Sequence, residues 1–171
     1  MNNSRTCSFY FFSTTTKNRK AISDVFGDYH LTCPSMLFVQ LMAKKRPEGH
    51  YYAYHFDKQS VLPLLGCRKW MGVCHAQDII YVFGVPQILH GSVLDDDEYE
   101  LSYEMVKAWT RFAHTGHPGT LHKNVHWTPA IDTDGNDSSA SLMNLKPHDY
   151  RMLPHFYNDI CNKFWQPKIE Q

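Results

Sequence analysis

The chain has 171 residues, with 17 basic and 17 acidic side chains, 11 His and five Cys. That length makes one domain, at most two, and 43% hydrophobic with 14% aromatic residues is enough to fill a core, which excludes a disordered chain. A formal charge of zero gives no electrostatic pull on nucleic acid, and no apolar run approaches the roughly 20 residues of a membrane-crossing helix.

Residues 1–20 are rich in Ser, Thr, Asn and Lys and predict loop or a truncated edge. The apolar knot Phe9, Tyr10, Phe11 and Phe12 is shorter than the roughly 7–15 residues of a signal-peptide core, so the start reads as falling inside a longer protein. A helix is predicted from near Leu31, with Thr32 as N-cap and Pro34 in its first turn. It runs through Met36, Leu37, Gln40 and Leu41 to the cations Lys44, Lys45 and Arg46, and Pro47 and Gly49 stop it. His50 to Phe56 alternates aromatics in the manner of a strand. The segment from Trp70 to Gly84 is apolar but aperiodic, which suits a partly buried loop with short elements.

The longest helical pattern covers about Asp95 to Thr115. Leu101, Met105, Ala108, Trp109 and Phe112 share one face, and Asp95 to Glu98 load the N-terminal end. Gly116 and Pro118 end it. Residues 117–140 predict loop. Short strands are predicted at Ser141 to Lys146 and near Tyr150 to Leu153, and a final helix at about Pro154 to Trp165, with Phe156, Ile160 and Phe164 on one face. Strands and helices mixed in this order favour an α/β protein.

The chain has no Gly-x-Ser-x-Gly, dinucleotide fingerprint, phosphate-binding loop, Cys-x-x-Cys or His-Glu-x-x-His. Most enzymatic readings therefore fail for these residues alone. His114, His117, His122 and His126 could converge on a metal, but they sit in a Gly/Pro loop without Cys, and a solvated His-rich loop is the better reading. No metal or cofactor is expected. His75 lies in an apolar stretch where an imidazole needs a reason to be. Composition alone leaves two readings, a general base over a site and a structural His satisfied by its neighbours, with Asp78 as its partner or merely a loop cap.

Trp70-Met-Gly-Val-Cys-His75 through Tyr81-Val-Phe-Gly84 resembles the catalytic-His segment of the type-B carboxylesterase and cholinesterase family. Several further stretches resemble it in the family's order, between about residues 17 and 168. They are Asn18-Arg-Lys, Gly27-Asp-Tyr-His-Leu-Thr-Cys33-Pro34, Tyr52-Ala-Tyr54-His-Phe56, Ala108-Trp109 through Pro118, Trp127-Thr-Pro129, and Cys161-Asn-Lys-Phe164-Trp165. The resemblance implies an α/β-hydrolase fold, a mostly parallel sheet flanked by helices, of which residues 17–171 would be the C-terminal portion, incomplete on its own, with 1–16 irregular.

It also implies a serine carboxylic-ester hydrolase with a triad in chain order Ser, Glu or Asp, His. His75 falls on the His position; the Ser, the acid and the oxyanion hole would lie upstream, so this chain alone should be inert. Asp78 matches an acidic position buried behind the triad. Ala76 and Gln77 stand where cholinesterases carry Gly-Tyr, the Tyr lining the choline pocket, and Cys67 stands where they carry a Trp. Losing those aromatic faces weakens recognition of a quaternary ammonium, so the substrate expected is a small carboxylic ester, with choline esters left open.

The same resemblance implies a Cys33–Cys161 disulfide and a homodimer formed through the C-terminal helix. Cys7, Cys67 and Cys74 match no paired position, and Cys74 reads as a buried thiol, or a reactive one if exposed. Asn136-Asp-Ser138 is a glycosylation sequon consistent with export of the parent protein. A non-catalytic cholinesterase-like domain for adhesion is the alternative; retention of His75 favours the esterase. Strands that expect parallel neighbours would leave open edges, so the isolated chain is expected to be poorly soluble.

Overall fold

A computed structural model describes residues 15–62, 66–89, 91, 93–131 and 140–169. Cys7 and Asn136 lie outside the described residues. The chain divides into two compact units, Met1–Gly49 with Ile131–Ala140 and His155–Gln171, and His50–Ala130 with Ser141–Pro154.

The first unit is helical. Helix α1 (Thr15–Gly27) runs through a π-turn, Asp28–Thr32, straight into α2 (Cys33–Lys45). Two expectations are corrected here: residues 15–20 are helix, and Thr32 is no N-cap. Its backbone is helical (φ −64°, ψ −55°) and its side chain makes no capping bond, because the preceding turn already supplies carbonyls to the donors that a cap would satisfy. Pro34 gives the π-turn its reason. A proline inside a helix clashes with the carbonyl four residues back, and the widened turn, with the Cys33 N–H bonded to the Asp28 carbonyl, relieves the crowding.

Cys33, Met36 and Ala43 are the buried stripe of α2. The C-terminal helix starts later than predicted, with a π-helical Asp159–Trp165 followed by α6 (Gln166–Ile169). His155 and Tyr157 hold positive φ (55° and 60°), which keeps the segment before it from being helical. Cys161 and Trp165 are its buried residues, with Phe156, Ile160 and Phe164 only half-buried. The Trp165 ring meets Tyr29 at 5.3 Å, and Cys161 is disulfide-bonded to Cys33, Cα atoms 4.9 Å apart.

Ile22, Phe26, Phe38 and Leu41 of this unit are 70%, 63%, 61% and 49% exposed. That much apolar surface drives association in water. The chain is expected to sediment as oligomers at micromolar concentration and to bind a hydrophobic dye. Polar substitution at Phe26 and Phe38 should lower both signals; a monodisperse wild-type monomer would refute the expectation.

The second unit holds the sheet. Strands β1 (Tyr54–Phe56), β4 (Leu142–Leu145) and β5 (Arg151–Leu153) pair in the order β1-β4-β5. β1 and β4 are parallel with Tyr54 opposite Met143, and β4 and β5 are antiparallel. The described sheet is thus mixed, where a mostly parallel one was expected. Residues 146–150 make only a tight connection, and a parallel return would need a crossover of a dozen residues or more. All four β4 residues are buried. Short helices α3 (Asp78–Val82) and α4 (Val85–Leu89) precede the long α5 (Asp96–Thr115), and β2 (Thr120–Leu121) and β3 (Val125–His126) form a small hairpin.

Helix α5 matches its prediction in bounds, in its acidic N-terminal end and in its stop, and Asp95 proves to be its N-cap. The Asp95 carboxylate accepts from the Glu98 N–H at 2.8 Å, and Gly116 closes the helix in the left-handed conformation (φ 75°). Leu101, Met105 and Ala108 are buried with Tyr81, Leu121, Trp127, Met143, Leu145 and Tyr150 in one core. Arg111 donates to the carbonyls of Pro118 (2.7 Å) and Thr120 (3.1 Å), which ties the segment after the helix back to it.

Three tyrosines of this unit give it an alkaline limit. Tyr81 is fully buried and donates to Glu98 at 2.8 Å; burial first, then that bond, pushes its phenol far above the usual value. Burial also raises Tyr54 and Tyr150. With folded values above the ordinary 10, this stability is complete below pH 10 and is lost as pH rises toward the folded values. Stability is expected to fall above pH 10 by up to about 1.4 kcal/mol per pH unit for each such tyrosine. Urea midpoints followed between pH 9 and 12 test this; a flat profile would contradict it.

Candidate active site

His75 stands in a turn, residues 75–77, between the loop 66–74 and α3. Local contacts shape that turn. Cys67 and Cys74 form a disulfide with Cα atoms 6.1 Å apart. Cys74 is therefore neither a reactive nor a buried free thiol, and Cys67 is not unpaired. The Gln59 amide nitrogen donates to the carbonyls of Lys69 (3.1 Å) and Gly72 (2.7 Å) inside the disulfide loop. Gln77 is 1% exposed, and its side-chain carbonyl accepts from the Cys74 N–H at 3.2 Å. The loop is thus held on both sides of His75, while the imidazole itself is exposed.

Ala76 follows His75 with φ +69°. A Cβ in the left-handed region costs about 1–2 kcal/mol, which glycine escapes at the expense of a more flexible unfolded chain. Ala76→Gly is expected to stabilise the second unit by up to about 1 kcal/mol. A lower urea midpoint in that variant would refute the assignment of strain.

Asp78 opens α3, and its Oδ2 accepts a 2.7 Å hydrogen bond from Tyr54 Oη on β1. Burial, followed by the bond to Asp78, pushes the Tyr54 phenol well above its usual value, so Tyr54 stays a donor. The bond pins the helix after His75 to the sheet. It spans 24 residues, and no local pattern announces it; neither does any pattern announce Gln59. The Cys67–Cys74 pair did leave a signal, two Cys seven apart around Gly72, a spacing a short disulfide loop can close.

Tyr54 also belongs to a second feature. Tyr52, Tyr54, Trp109, Phe112, Pro118 and Trp127 line a cavity of about 180 Å³ between β1, α5 and the segment after it. Ring centroids lie 5.1 Å apart for Tyr54 and Trp109 and 5.7 Å for Trp109 and Trp127, both edge-to-face. Tyr52 Oη is 2.7 Å from His117 Nδ1. The His-rich segment does not converge on a metal: His117 meets Tyr52, His122 pairs with Glu100 at 3.2 Å, and no described group of three or more His, Cys, Asp or Glu could hold an ion.

The sequence model of the carboxylesterase family matches residues 4–164, nearly the whole chain. The chain belongs to the carboxylesterase family. Among curated carboxylesterase relatives, acetylcholinesterase of Bungarus fasciatus is 40% identical over 158 residues, 90% of this chain and 24% of that protein. Acetylcholinesterase of Gallus gallus is 38% identical over 113 residues, 66% of this chain and 14% of the relative. Cholinesterase of Mus musculus is 32% identical over 117 residues, 68% and 19%. The matched stretch thus spans less than a quarter of the length of each of these relatives.

Proposed function

We propose that this chain is the C-terminal part of a serine carboxylic-ester hydrolase and supplies its general base, His75. The observation that carries the reading is the built turn: an exposed imidazole on a backbone fixed by the Cys67–Cys74 disulfide, Gln59 and Gln77. A base of this kind takes the proton of a serine nucleophile and returns it to the leaving alcohol. Asp78 is a positioning residue: its carboxylate already accepts the hydrogen bond from Tyr54 Oη, so the triad acid, the serine and the oxyanion donors belong to the rest of the family's length. Without them the chain alone turns over no ester.

Gln77 offers no aromatic face and is buried against Cys74, which favours small carboxylic esters in general over choline esters in particular. Two disulfides suit a secreted or extracellular parent protein, and no described helix is long and apolar enough to cross a membrane.

The test reads the open frame upstream of Met1 and expresses the whole product. A Gly-x-Ser-x-Gly segment followed by an acidic residue, with covalent labelling of the product by a fluorophosphonate, is the expected result. A continuing frame with that serine replaced, or a product that resists labelling, would overturn the proposal.

A further inference from the structure

Two disulfides lie among the described residues, and breaking them would have different consequences. Cys33 and Cys161 are fully buried and join two helices of the first unit. Cys67 and Cys74 are seven residues apart in the second unit, and Cys74 stands immediately before His75. No side chain between that pair is buried: Arg68, Lys69, Trp70, Met71 and Val73 are exposed and Gly72 is half-buried. The loop can therefore open without emptying a core, and segments of that kind open first.

Cys74 is also where this loop meets the turn that carries His75. Its N–H donates to Gln77 Oε1 at 3.2 Å, and its carbonyl accepts from the Gln77 N–H at 3.3 Å. His75 and Ala76 thus form a short backbone bridge between Cys74 and the buried Gln77. On the far side, Gln59 gathers the loop through the carbonyls of Lys69 and Gly72. Those are hydrogen bonds that water can replace; the sulfur–sulfur bond is the one covalent closure. We propose that Cys67–Cys74 is a redox switch on His75. Oxidised, it holds the imidazole in place; reduced by a dithiol, it lets the turn move and takes the imidazole out of position. Its effect on ester hydrolysis rests on the reading of His75 as general base.

The chemistry is thiol–disulfide exchange. One thiolate of the reductant attacks a sulfur of the pair once the loop has opened. The S–S bond breaks, a mixed disulfide forms, and the displaced cysteine leaves as a thiolate that takes up a proton. The second thiol of the reductant then expels the other cysteine. The reductant departs as a cyclic disulfide, and two electrons and two protons stay with Cys67 and Cys74. Return is by exchange with a small disulfide, and a loop this short closes at little entropic cost, so the switch is reversible. Exposed disulfides are the labile ones, whereas a bond buried like Cys33–Cys161 resists the same reductant.

The experiment treats the full chain with dithiothreitol, quenches at intervals, alkylates the free thiols and maps them by peptide mass. Cys67 and Cys74 are expected to become alkylated at least about tenfold faster than Cys33 and Cys161. In parallel, the imidazole resonances are followed by NMR, with His75→Gln assigning the His75 signal. Selective reduction should shift and broaden that signal while the α5 amides keep their protection, and oxidised glutathione should restore it. The double variant Cys67→Ser, Cys74→Ser should show the reduced signal from the start and ignore dithiothreitol. Equal rates for the two bonds, or an unmoved His75 signal (the mark of a turn held by Gln77 alone), would overturn the proposal even if the double variant fails to fold. So would loss of α5 protection on selective reduction, since the bond would then be structural. Neither readout needs ester turnover, so a parent protein that resists fluorophosphonate strikes the esterase reading and leaves these outcomes distinct.

Discussion

If the parent protein is the serine esterase proposed above, replacing His75 by Ala in it is expected to lower kcat by about 100,000-fold with little change in KM. The loss falls on kcat because a general base acts while the serine proton is in flight, not while substrate is held. His75 is exposed, so its removal leaves no cavity and no orphaned buried group, and stability should change by no more than about 0.5 kcal/mol. The two readouts together are decisive. Activity lost with an unchanged urea midpoint assigns chemistry to the imidazole. Activity retained within tenfold, or lost only together with the fold, would remove His75 from the mechanism.

Cys33→Ser, or Cys161→Ser, is expected to cost the first unit about 5 kcal/mol, as chain-entropy reasoning gives for a loop of this size. The two residues are 128 apart in sequence. The bridge therefore removes a large set of open conformations from the unfolded chain, and it joins α2 to the C-terminal helix where both are fully buried. A loss of that size is comparable with the whole stability of an ordinary domain. Hydrogen exchange of the α1, α2 and Asp159–Trp165 amides should approach unprotected rates in either variant. The Cys67–Cys74 bond, with a separation of seven, should be worth only about half as much by the same reasoning. Native-like protection of the first unit after loss of the Cys33–Cys161 bond would show that packing alone holds it.

How far these features were legible differs from element to element. Helix α5 was plain in the sequence because every level agreed: an acidic N-terminal end, apolar residues on one face, and Gly116 as stop. Helix α1 was not, because its residues are mostly polar and Ile22 and Phe26 face away from any core; it persists by running on into α2. Thr32 and Pro34 spelled a helix start, yet the same proline is accommodated inside a continuing helix once the turn widens. His75 and Asp78 could be named from a motif. What fixes them could not, since Tyr54 meets Asp78, and Gln59 the loop before His75, only in the folded chain. The aromatic cavity has residues drawn from four separate stretches, and only the fold assembles them.

The parallel pairing of β1 with β4 sets the order in which the second unit can be made. His55 and Asn144 are opposite each other in the sheet and 89 residues apart, a separation that slows folding because the loop must close before the contact rewards it. On a ribosome adding about 5–20 residues per second, β1 emerges roughly 4–18 seconds before its partner. Throughout that interval Tyr54, His55 and Phe56 lack their β4 partner, and α5, complete some thirty residues earlier than β4, is the part of this unit that can shield them.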